Sequence, residues 1–592
     1  MIFLLVALFS FLSSRLYLNE DIFELFSHDE ALKDQRLIFD KIKSNDKIVI
    51  IFSTNDTSTV AVNNLIYSAD EVSEKIKQQL IPEHARELIY SVSDSFAAET
   101  YEMIYRNLPF FLEKKDYEHI EKLITPENVS AVLDANYKML VSFAGFATKK
   151  YITRDPFGFT NLALKNYMSA NISNDYLLFN DRIFSKDKKN LLMFLSSVFS
   201  ASESSKNSIL IKKLDQIIAE QNSKGVVQIH SFGATPVSVC NSRQLTVDTI
   251  ITMGAALIIL FLFFAYFFRQ KRTFLFLLLP VLFGGLFSLA LVYLLKGHIS
   301  TIALGTGSVI LGIAINYSIH FFTHFHFAGS ARETLKDITM PMMIGSITTV
   351  GAFLGLLFVK SPILNDFGLM SALVILGSLL FSMIFLPHFV GSKLNTEINV
   401  QRKSYLTKIL SYSFEKNKYI IIGIVLLTMI FLFLTKNVGF ESDMKKLSFF
   451  TAGLKEAEQK LNSFSDSTLE DIFIISKGKT LNEALKNSEK IKEKINLLKN
   501  DSLIGQVYGA SHLLFSDSLQ KVKLSTWESF WDSNRREILK KNFLLCTGQY
   551  HFRSNAFDEF FAMLDKDYIR MNKNDFEKIK QTQVQDYIDE VN

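Results

Sequence analysis

Long apolar runs limit most strongly what this chain of 592 residues can fold into. A bilayer core is crossed by about twenty mostly apolar residues in a helix, and shorter runs pack inside soluble domains. Six runs bounded by charge meet or nearly meet that length, roughly Thr249–Phe268, Phe274–Leu295, Thr301–Phe325, Ile338–Val359, Phe367–Leu386 and Tyr419–Leu434. The runs predict a polytopic α-helical membrane protein.

A shorter apolar run, Met1–Leu12, opens the chain. No basic segment precedes it and no clear small-residue cleavage motif follows it, so we favour a shortened membrane helix over a signal peptide. Lys and Arg collect at 269–272 and in the segment 388–418, which places both on the cytoplasmic side. Residues 19–245 and the chain after about 437 are then predicted to lie outside the membrane.

Composition excludes several classes of function. Hydrophobic residues make up 48% of the chain, and the net charge of +4 is small, so nucleic acid is not predicted as a partner. The two cysteines, Cys240 and Cys546, lie in no metal-ligand spacing, and we predict no metal site and no cofactor. Gly478-Lys479-Thr480 ends like a phosphate loop but has Phe473 where the first glycine belongs, so we predict a turn, and no enzyme.

An internal repeat organises the chain. The segment around Asp21 matches the segment around Asp443 at an offset of 422 residues, and each is followed by a β-branched run and an amphipathic helix, at 46–52 with 69–80 and at 470–476 with 481–498. The second copy would reach its next span only beyond residue 592. We therefore expect an incomplete chain; the alternative is a seven-span protein with a small outer tail.

The outer region 19–245 is predicted to be α+β, with strands packed under helices. Its patterns favour helices at Glu113–Ile124 and Asn190–Ala219 and a closing strand at Gly225–His230. The predicted organisation is a first helix at 1–18, an outer α+β domain at 19–245, a five-helix block at 246–387, a basic cytoplasmic linker at 388–418, a further helix at 419–436 and a second, incomplete outer domain at 437–592.

Short segments of the outer domains resemble a known family. They are Leu108-Pro109-Phe-Phe-Leu112-Glu-Lys-Lys-Asp116-Tyr, Arg154-Asp155-Pro156-Phe-Gly158, Gly233-Ala-Thr-Pro236-Val, Gln520, and the stretch from Trp527 through Gly548 to Phe561. With the repeated plan of one span, an outer domain and a helical block, they resemble the MMPL branch of the resistance-nodulation-division (RND) superfamily, in particular its bacterial predicted exporters.

That resemblance implies a proton-driven exporter in the bacterial inner membrane, with periplasmic porter-like domains and a lipid-like or other amphiphilic cargo. Protons and periplasmic acceptor proteins would be its further partners; the oligomeric state is not predicted. The alternative is a sensor or scaffold of the same architecture that does not transport.

The motif that would carry chemistry lies in the run Thr301–Phe325. In the family a Gly-x-x-x-Asp-Tyr pattern supplies the acid that accepts the driving proton, and here it reads Gly312-x-x-x-Asn316-Tyr317. The amide of Asn316 cannot titrate. His320 lies one helical turn after Asn316, and its imidazole can titrate. We expect Asn316, Tyr317 and His320 to form a coupling site or a helix interface, with Gly312, Thr348 and Gly351 packing near it. The driving proton would be taken by His320 or by an acid in a second helical block. If neither takes it, proton coupling is lost.

Overall fold

The computed structural model describes residues 2–19, 47–91, 94–143, 145–171, 176–267, 271–390, 416–439, 448–464, 474–500, 509–550, 552–553, 555–571 and 573–582. The predicted cytoplasmic linker lies mostly outside these residues, and so do the repeat segments around Asp21 and Asp443. The chain divides into two units, a helical unit of residues 1–39, 201–208 and 237–451 and a sheet unit of residues 40–200, 209–236 and 452–592.

The helical unit follows the apolar runs of the sequence. Numbered in chain order over the whole protein, its elements are α1 (Ile2–Ser13), β1 (Tyr17–Asn19), α10 (Ala234–Phe267), α11 (Lys271–Lys296), β8 (His298–Ser300), α12 (Thr301–Gly305), α13 (Gly307–Ala328), α14 (Ala331–Gly355), α15 (Pro362–Leu380), α16 (Leu386–Phe389) and α17 (Lys418–Leu434).

Four helical segments of this unit are long and apolar enough to cross a membrane, by length and composition, among the described residues: Ala234–Leu262, Phe276–Lys296, Ala331–Phe358 and Pro362–Phe389. Three shorter apolar helices accompany them at Ile2–Ser13, Val309–Phe325 and Lys418–Leu434. The predicted span Thr301–Phe325 is interrupted at Thr306, between α12 and α13. A π-helical turn, Phe381–Phe385, separates α15 from α16, just before Pro387.

Small residues bring α11 and α15 close together. A Cβ placed on Gly284 would lie 2.3 Å from the Ser378 Oγ and 2.5 Å from the Val374 carbonyl oxygen. From the other side, a Cβ on Gly377 would lie 2.9 Å from the Gly284 Cα. The Ser288 hydroxyl adds a hydrogen bond of 2.8 Å to the carbonyl of Met370. Small residues permit the close backbone approach that is typical of helix packing in membranes.

A charged anchor ties α11, β8 and α15 together. The Lys296 Nζ lies 2.6 Å from Oδ1 of Asp366, while Oδ2 of the same carboxylate accepts a hydrogen bond of 2.8 Å from the Ser300 backbone N–H. The Asp366 side chain is only 4% exposed, so its charge depends on these two partners. Next to this anchor, β1 and β8 pair in parallel, with Leu18 opposite Ile299.

The sheet unit combines helices and strands from two distant parts of the chain. Its elements are β2 (Lys47–Ser53), α2 (Thr59–Gln79), β3 (Ala85–Ile89), α3 (Asp94–Arg106), α4 (Leu108–Phe111), α5 (Lys114–Leu123), α6 (Pro126–Leu140), α7 (Gly145–Arg154), α8 (Phe159–Asn171), β4 (Tyr176–Phe179), β5 (Arg182–Ser185), β6 (Asn190–Ser197), α9 (Ser204–Asn222), β7 (Gln228–Phe232), α18 (Ala452–Phe464), α19 (Leu481–Asn500), α20 (Asp517–Phe530), α21 (Ser533–Gln549), α22 (Asp558–Asp565) and α23 (Lys573–Thr582).

The strands form an antiparallel sheet in the order β4-β5-β6-β2-β7, with β3 paired to the far end of β6. Strands β2 and β6 are buried along almost their whole length. The predicted helix Asn190–Ala219 is therefore wrong in its first part, because Asn190–Ser197 is the strand β6. A short apolar run of that kind suits a buried strand as well as a helix, and only its neighbours decide between them.

The expected second strand is not seen where the structure describes it, since residues 474–478 are coil. Ile474 and Ile475 are 55% and 42% exposed, so this segment lacks the burial that holds β2 in place. The helix after it, α19, is present as predicted, as are the helix α5 and the closing strand β7. The sheets and helices of this unit agree with the α+β prediction for the outer region.

Candidate functional site

The predicted coupling residues are divided between two faces of α13. Gly312, Asn316 and His320 recur every four residues along an exposed face of the helix. Nothing among the described residues lies within 4 Å of a Cβ placed on Gly312. The Asn316 amide and the His320 imidazole therefore share one open face of the helical unit.

Tyr317 lies on the opposite, buried face. It is 8% exposed and belongs to the apolar core of the helical unit with Ile315, Phe321 and Phe322. Its hydroxyl interacts with the side chain of Ser346 on α14, and the Ser346 hydroxyl lies 2.6 Å from the Met342 carbonyl oxygen. The three residues of the motif thus do not converge: Tyr317 ties α13 to α14, while Asn316 and His320 point away from that contact.

The two residues of α14 that we expected to pack near the motif are exposed. The Thr348 hydroxyl donates a hydrogen bond of 2.9 Å to the carbonyl of Gly345 in its own helix. A Cβ on Gly351 would meet nothing within 4 Å in the described part of the chain. Packing by Gly312, Thr348 and Gly351 stays a prediction that needs a further helix. Close contacts in the helical unit are found at other glycines, among them Gly284, Gly368 and Gly377.

No carboxylate stands in for the missing acid within α13, whose sequence contains neither Asp nor Glu. The acids at the ends of the apolar helices have other surroundings. Asp366 is held by Lys296 and Ser300, and Asp248 accepts a hydrogen bond of 2.8 Å from Gln244. His320 and His324, one and two turns after Asn316, are therefore the titratable side chains that share its exposed face of α13.

The resemblance segments of the sheet unit have structural roles. The buried carboxylate of Asp155 accepts hydrogen bonds from the backbone N–H groups of Phe159 and Thr160, at 3.0 and 2.5 Å, and so caps the start of α8. Burial raises the pKa of this carboxyl. Arg154 pairs with Glu102 and Glu559, and its guanidinium carbon lies 4.1 Å from the centre of the Tyr105 ring.

A second group of charges lies where the two distant segments of the sheet unit meet. The Lys523 ammonium donates a hydrogen bond of 2.9 Å to the carbonyl of Leu112. Burial lowers the pKa of Lys523 to about 8, with the neighbouring charge of Lys492 acting in the same direction. Burial also raises the pKa of Glu113, but the charges of Lys115, Lys492 and Lys523 outweigh this and leave that pKa below its ordinary value. Sequence reasoning missed this group because its members are far apart in the chain.

The Gly478-Lys479-Thr480 segment is the turn that leads into α19, as the sequence predicts. The Thr480 hydroxyl accepts a hydrogen bond of 3.2 Å from the backbone N–H of Glu483, and the Glu483 carboxylate accepts one of 2.8 Å from the N–H of Lys479. This reciprocal pattern is a helix cap. Among the described residues, no group of three or more His, Cys, Asp or Glu side chains is placed to hold a metal ion.

Comparison with known proteins assigns a family to part of the chain. Residues 119–393, from within α5 to just past α16, match the model of the MMPL family. The match covers less than half of the chain, so it shows that this region is similar to the MMPL family. The MMPL region contains Gly312, Asn316, Tyr317, His320, Thr348 and Gly351, and the match confirms the resemblance drawn from the outer-domain segments.

Solved structures give a weaker likeness. One crystal form of a heavy metal efflux pump is 12% identical over 66% of this chain and 38% of that chain, with a TM-score of 0.32. A second crystal form is 11% identical over 69% of this chain and 50% of that chain, with a TM-score of 0.28. This chain thus spans half or less of the length of those pumps. No curated protein matches the sequence.

Proposed function

We propose that this protein is an exporter of the bacterial inner membrane that moves a lipid-like or other amphiphilic compound outward. The observation that carries the proposal is the MMPL match over residues 119–393, which includes the helices long enough to cross a membrane. The excess of Lys and Arg at 269–272 and 388–418 supports a cytoplasmic side there and periplasmic positions for residues 19–245 and 437–592. Periplasmic acceptor proteins would take the cargo onward.

In this proposal the proton gradient drives export through the open face of α13. His320 accepts a proton on its imidazole, and Asn316 lies one turn earlier on the same exposed face, at the spacing from which its amide can reach the protonated ring. An asparagine can donate and accept but cannot exchange a proton itself, so the titrating role falls to the histidine. Tyr317, from the buried face, holds α13 against α14 while His320 changes its charge.

The test is export by the full chain in inverted membrane vesicles energised by a pH gradient. A dansyl-labelled fatty acid serves as the probe, and its accumulation in the vesicle lumen is measured. We expect His320→Ala to reduce gradient-driven accumulation by at least tenfold and Asn316→Ala to reduce it less. The matched control is His298→Ala, an exposed histidine in β8. Unchanged export in both His320→Ala and Asn316→Ala would overturn the coupling role.

The rival function is a sensor or scaffold that does not transport, and the observation in its favour is Asn316 itself. A chain with an amide where the family has its acid has lost the group that usually carries the proton. A sensor or scaffold would show no gradient-driven accumulation of the dansyl-labelled fatty acid, even with the unaltered protein. Export by the wild type that collapses when the pH gradient is discharged would exclude it.

A further inference from the structure

A cavity of about 410 Å³ lies between α21 and α22 in the sheet unit. Its apolar wall consists of Phe543, Leu544, Phe557 and Phe561, and its rim carries Lys540 and Arg553. The volume falls in the range of about 300 to 1,000 Å³ that is typical of small-molecule sites, which also combine apolar walls with a few polar groups. The function proposed above does not use this cavity.

The aromatic wall is formed before any ligand arrives. The Phe543 ring packs edge-on against Phe557 and Phe561, with ring centres 4.9 and 5.4 Å away. Phe543 and Phe557 are 0% and 4% exposed, so the surrounding core holds them in position. A wall of this kind can bind an apolar chain without first being ordered, and that lowers the entropic cost of binding.

The acidic and the basic side chains on the rim of the cavity differ in the groups that stabilise their charges. Asp565 lies 3.8 Å from Arg536, and Asp558 is in the first turn of α22, where the helix dipole stabilises a negative charge. Lys540 lies over the face of Phe561, 5.6 Å from the ring centre. Within the described residues, neither Lys540 nor Arg553 has a carboxylate within ion-pair distance. Two cations on the rim are thus available to a ligand.

We infer that this cavity binds an anionic amphiphile, with the apolar chain against Leu544 and Phe561, which Phe543 and Phe557 support from the core, and a carboxylate or similar head group between Lys540 and Arg553. The inference rests on the proposed function and deepens it, because it specifies the charge of the cargo and the place where the sheet unit receives it. An Arg side chain can bind a carboxylate through two parallel hydrogen bonds, and a Lys adds a point charge.

The experiment measures binding of dansyl-labelled undecanoic acid to the purified full chain in amphipol, by the rise in dansyl fluorescence, with its methyl ester as the uncharged probe. The double variant Lys540→Ala/Arg553→Ala removes both cations from exposed positions. We expect it to weaken binding of the acid by about tenfold and to leave binding of the ester unchanged. The matched control, Lys541→Ala, alters an exposed lysine of the same helix that does not line the cavity.

A second variant tests the apolar part of the site independently of charge. Ala562 is exposed and lines the cavity, so Ala562→Trp fills the space without replacing a core side chain. We expect this variant to weaken both probes by at least fivefold while its circular dichroism stays that of the wild type. Equal affinity of wild type and double variant for the acid would overturn the inference, and so would unchanged binding of both probes by Ala562→Trp.

The outcomes for this site and for export are separable. Loss of acid binding in the double variant together with absence of export by the wild type would support the cavity and reject the exporter. Gradient-driven export by the wild type with full acid binding in the double variant would reject the cavity and leave the exporter standing.

Discussion

The Lys523 ammonium lies 2.9 Å from the carbonyl oxygen of Leu112, a residue 411 positions earlier in the chain. The contact joins α20 to the end of α4 inside the sheet unit. The same ammonium lies over the Phe515 ring, 5.1 Å from its centre. A lysine from the later segment of the sheet unit thereby completes the surroundings of residues in the earlier segment.

Stability should rise with pH because of Lys523. Burial and the charge of Lys492 lower its pKa from 10.5 to about 8, although Glu113, Asp116 and Glu489 act in the opposite direction. Between these two values the unfolded chain binds more protons than the folded one, so the free energy of unfolding increases from about pH 8 to 10 and is lowest below pH 8. The change amounts to about 3 kcal/mol at most.

The variant Lys523→Met should flatten that rise. Thermal unfolding of the full chain between pH 7 and 10 measures it, with Lys521→Met, an exposed lysine of α20, as the control. A pH dependence in Lys523→Met as steep as in Lys521→Met would contradict the prediction.

The anchor of Lys296 and Asp366 should respond asymmetrically to mutation. Lys296→Met leaves the buried carboxylate with only the Ser300 N–H, and we expect a loss of about 1–3 kcal/mol of unfolding free energy. Adding Asp366→Asn should recover part of this loss, because no unpaired charge then remains. Thermal unfolding in detergent gives the values, with Lys360→Met as an exposed control. A double variant less stable than Lys296→Met alone would argue against the anchor.

Adjacent glycines of α11 offer a test of helix packing. In Gly284→Ala the new methyl group would lie 2.5 Å from the backbone oxygen of Val374, so the helices must separate and we expect a loss of about 1–3 kcal/mol. In Gly285→Ala nothing lies within 4 Å among the described residues, and stability should be unchanged or slightly higher. Equal melting temperatures for the two variants would show that α11 and α15 are not in close contact.

The cap at Asp155 should be required for the sheet unit. Asp155→Ala leaves the backbone N–H groups of Phe159 and Thr160 without their acceptor in a buried place, with an expected loss of about 2 kcal/mol. Asp155→Asn keeps an acceptor oxygen and should lose less. Urea unfolding followed by tryptophan fluorescence is suited to this comparison, because Trp527 and Trp531 lie in the aromatic core of this unit. A lower free energy of unfolding for Asp155→Asn than for Asp155→Ala would contradict the capping role.

The helices of the helical unit could be predicted because they depend on local pattern. Apolar runs bounded by charge gave α10, α11, α14, α15 and α17 close to their observed positions, and the four-residue spacing placed Asn316 and His320 on one face. The break at Thr306 and the early start of α10 were not visible in that pattern.

Hydropathy and spacing thus determined on their own where helices form and which polar residues share a helix face, because both properties depend on residues close in sequence. Tertiary structure decided that Tyr317 is buried while Asn316 and His320 are exposed, that Asn190–Ser197 is a strand, and that Gly284, with Gly377, makes the close contact. Each of those outcomes depends on neighbours from distant segments. The partial burial of Lys523 is of the same kind, since its surroundings include Leu112 and Glu113, between α4 and α5, which no local pattern connects to α20.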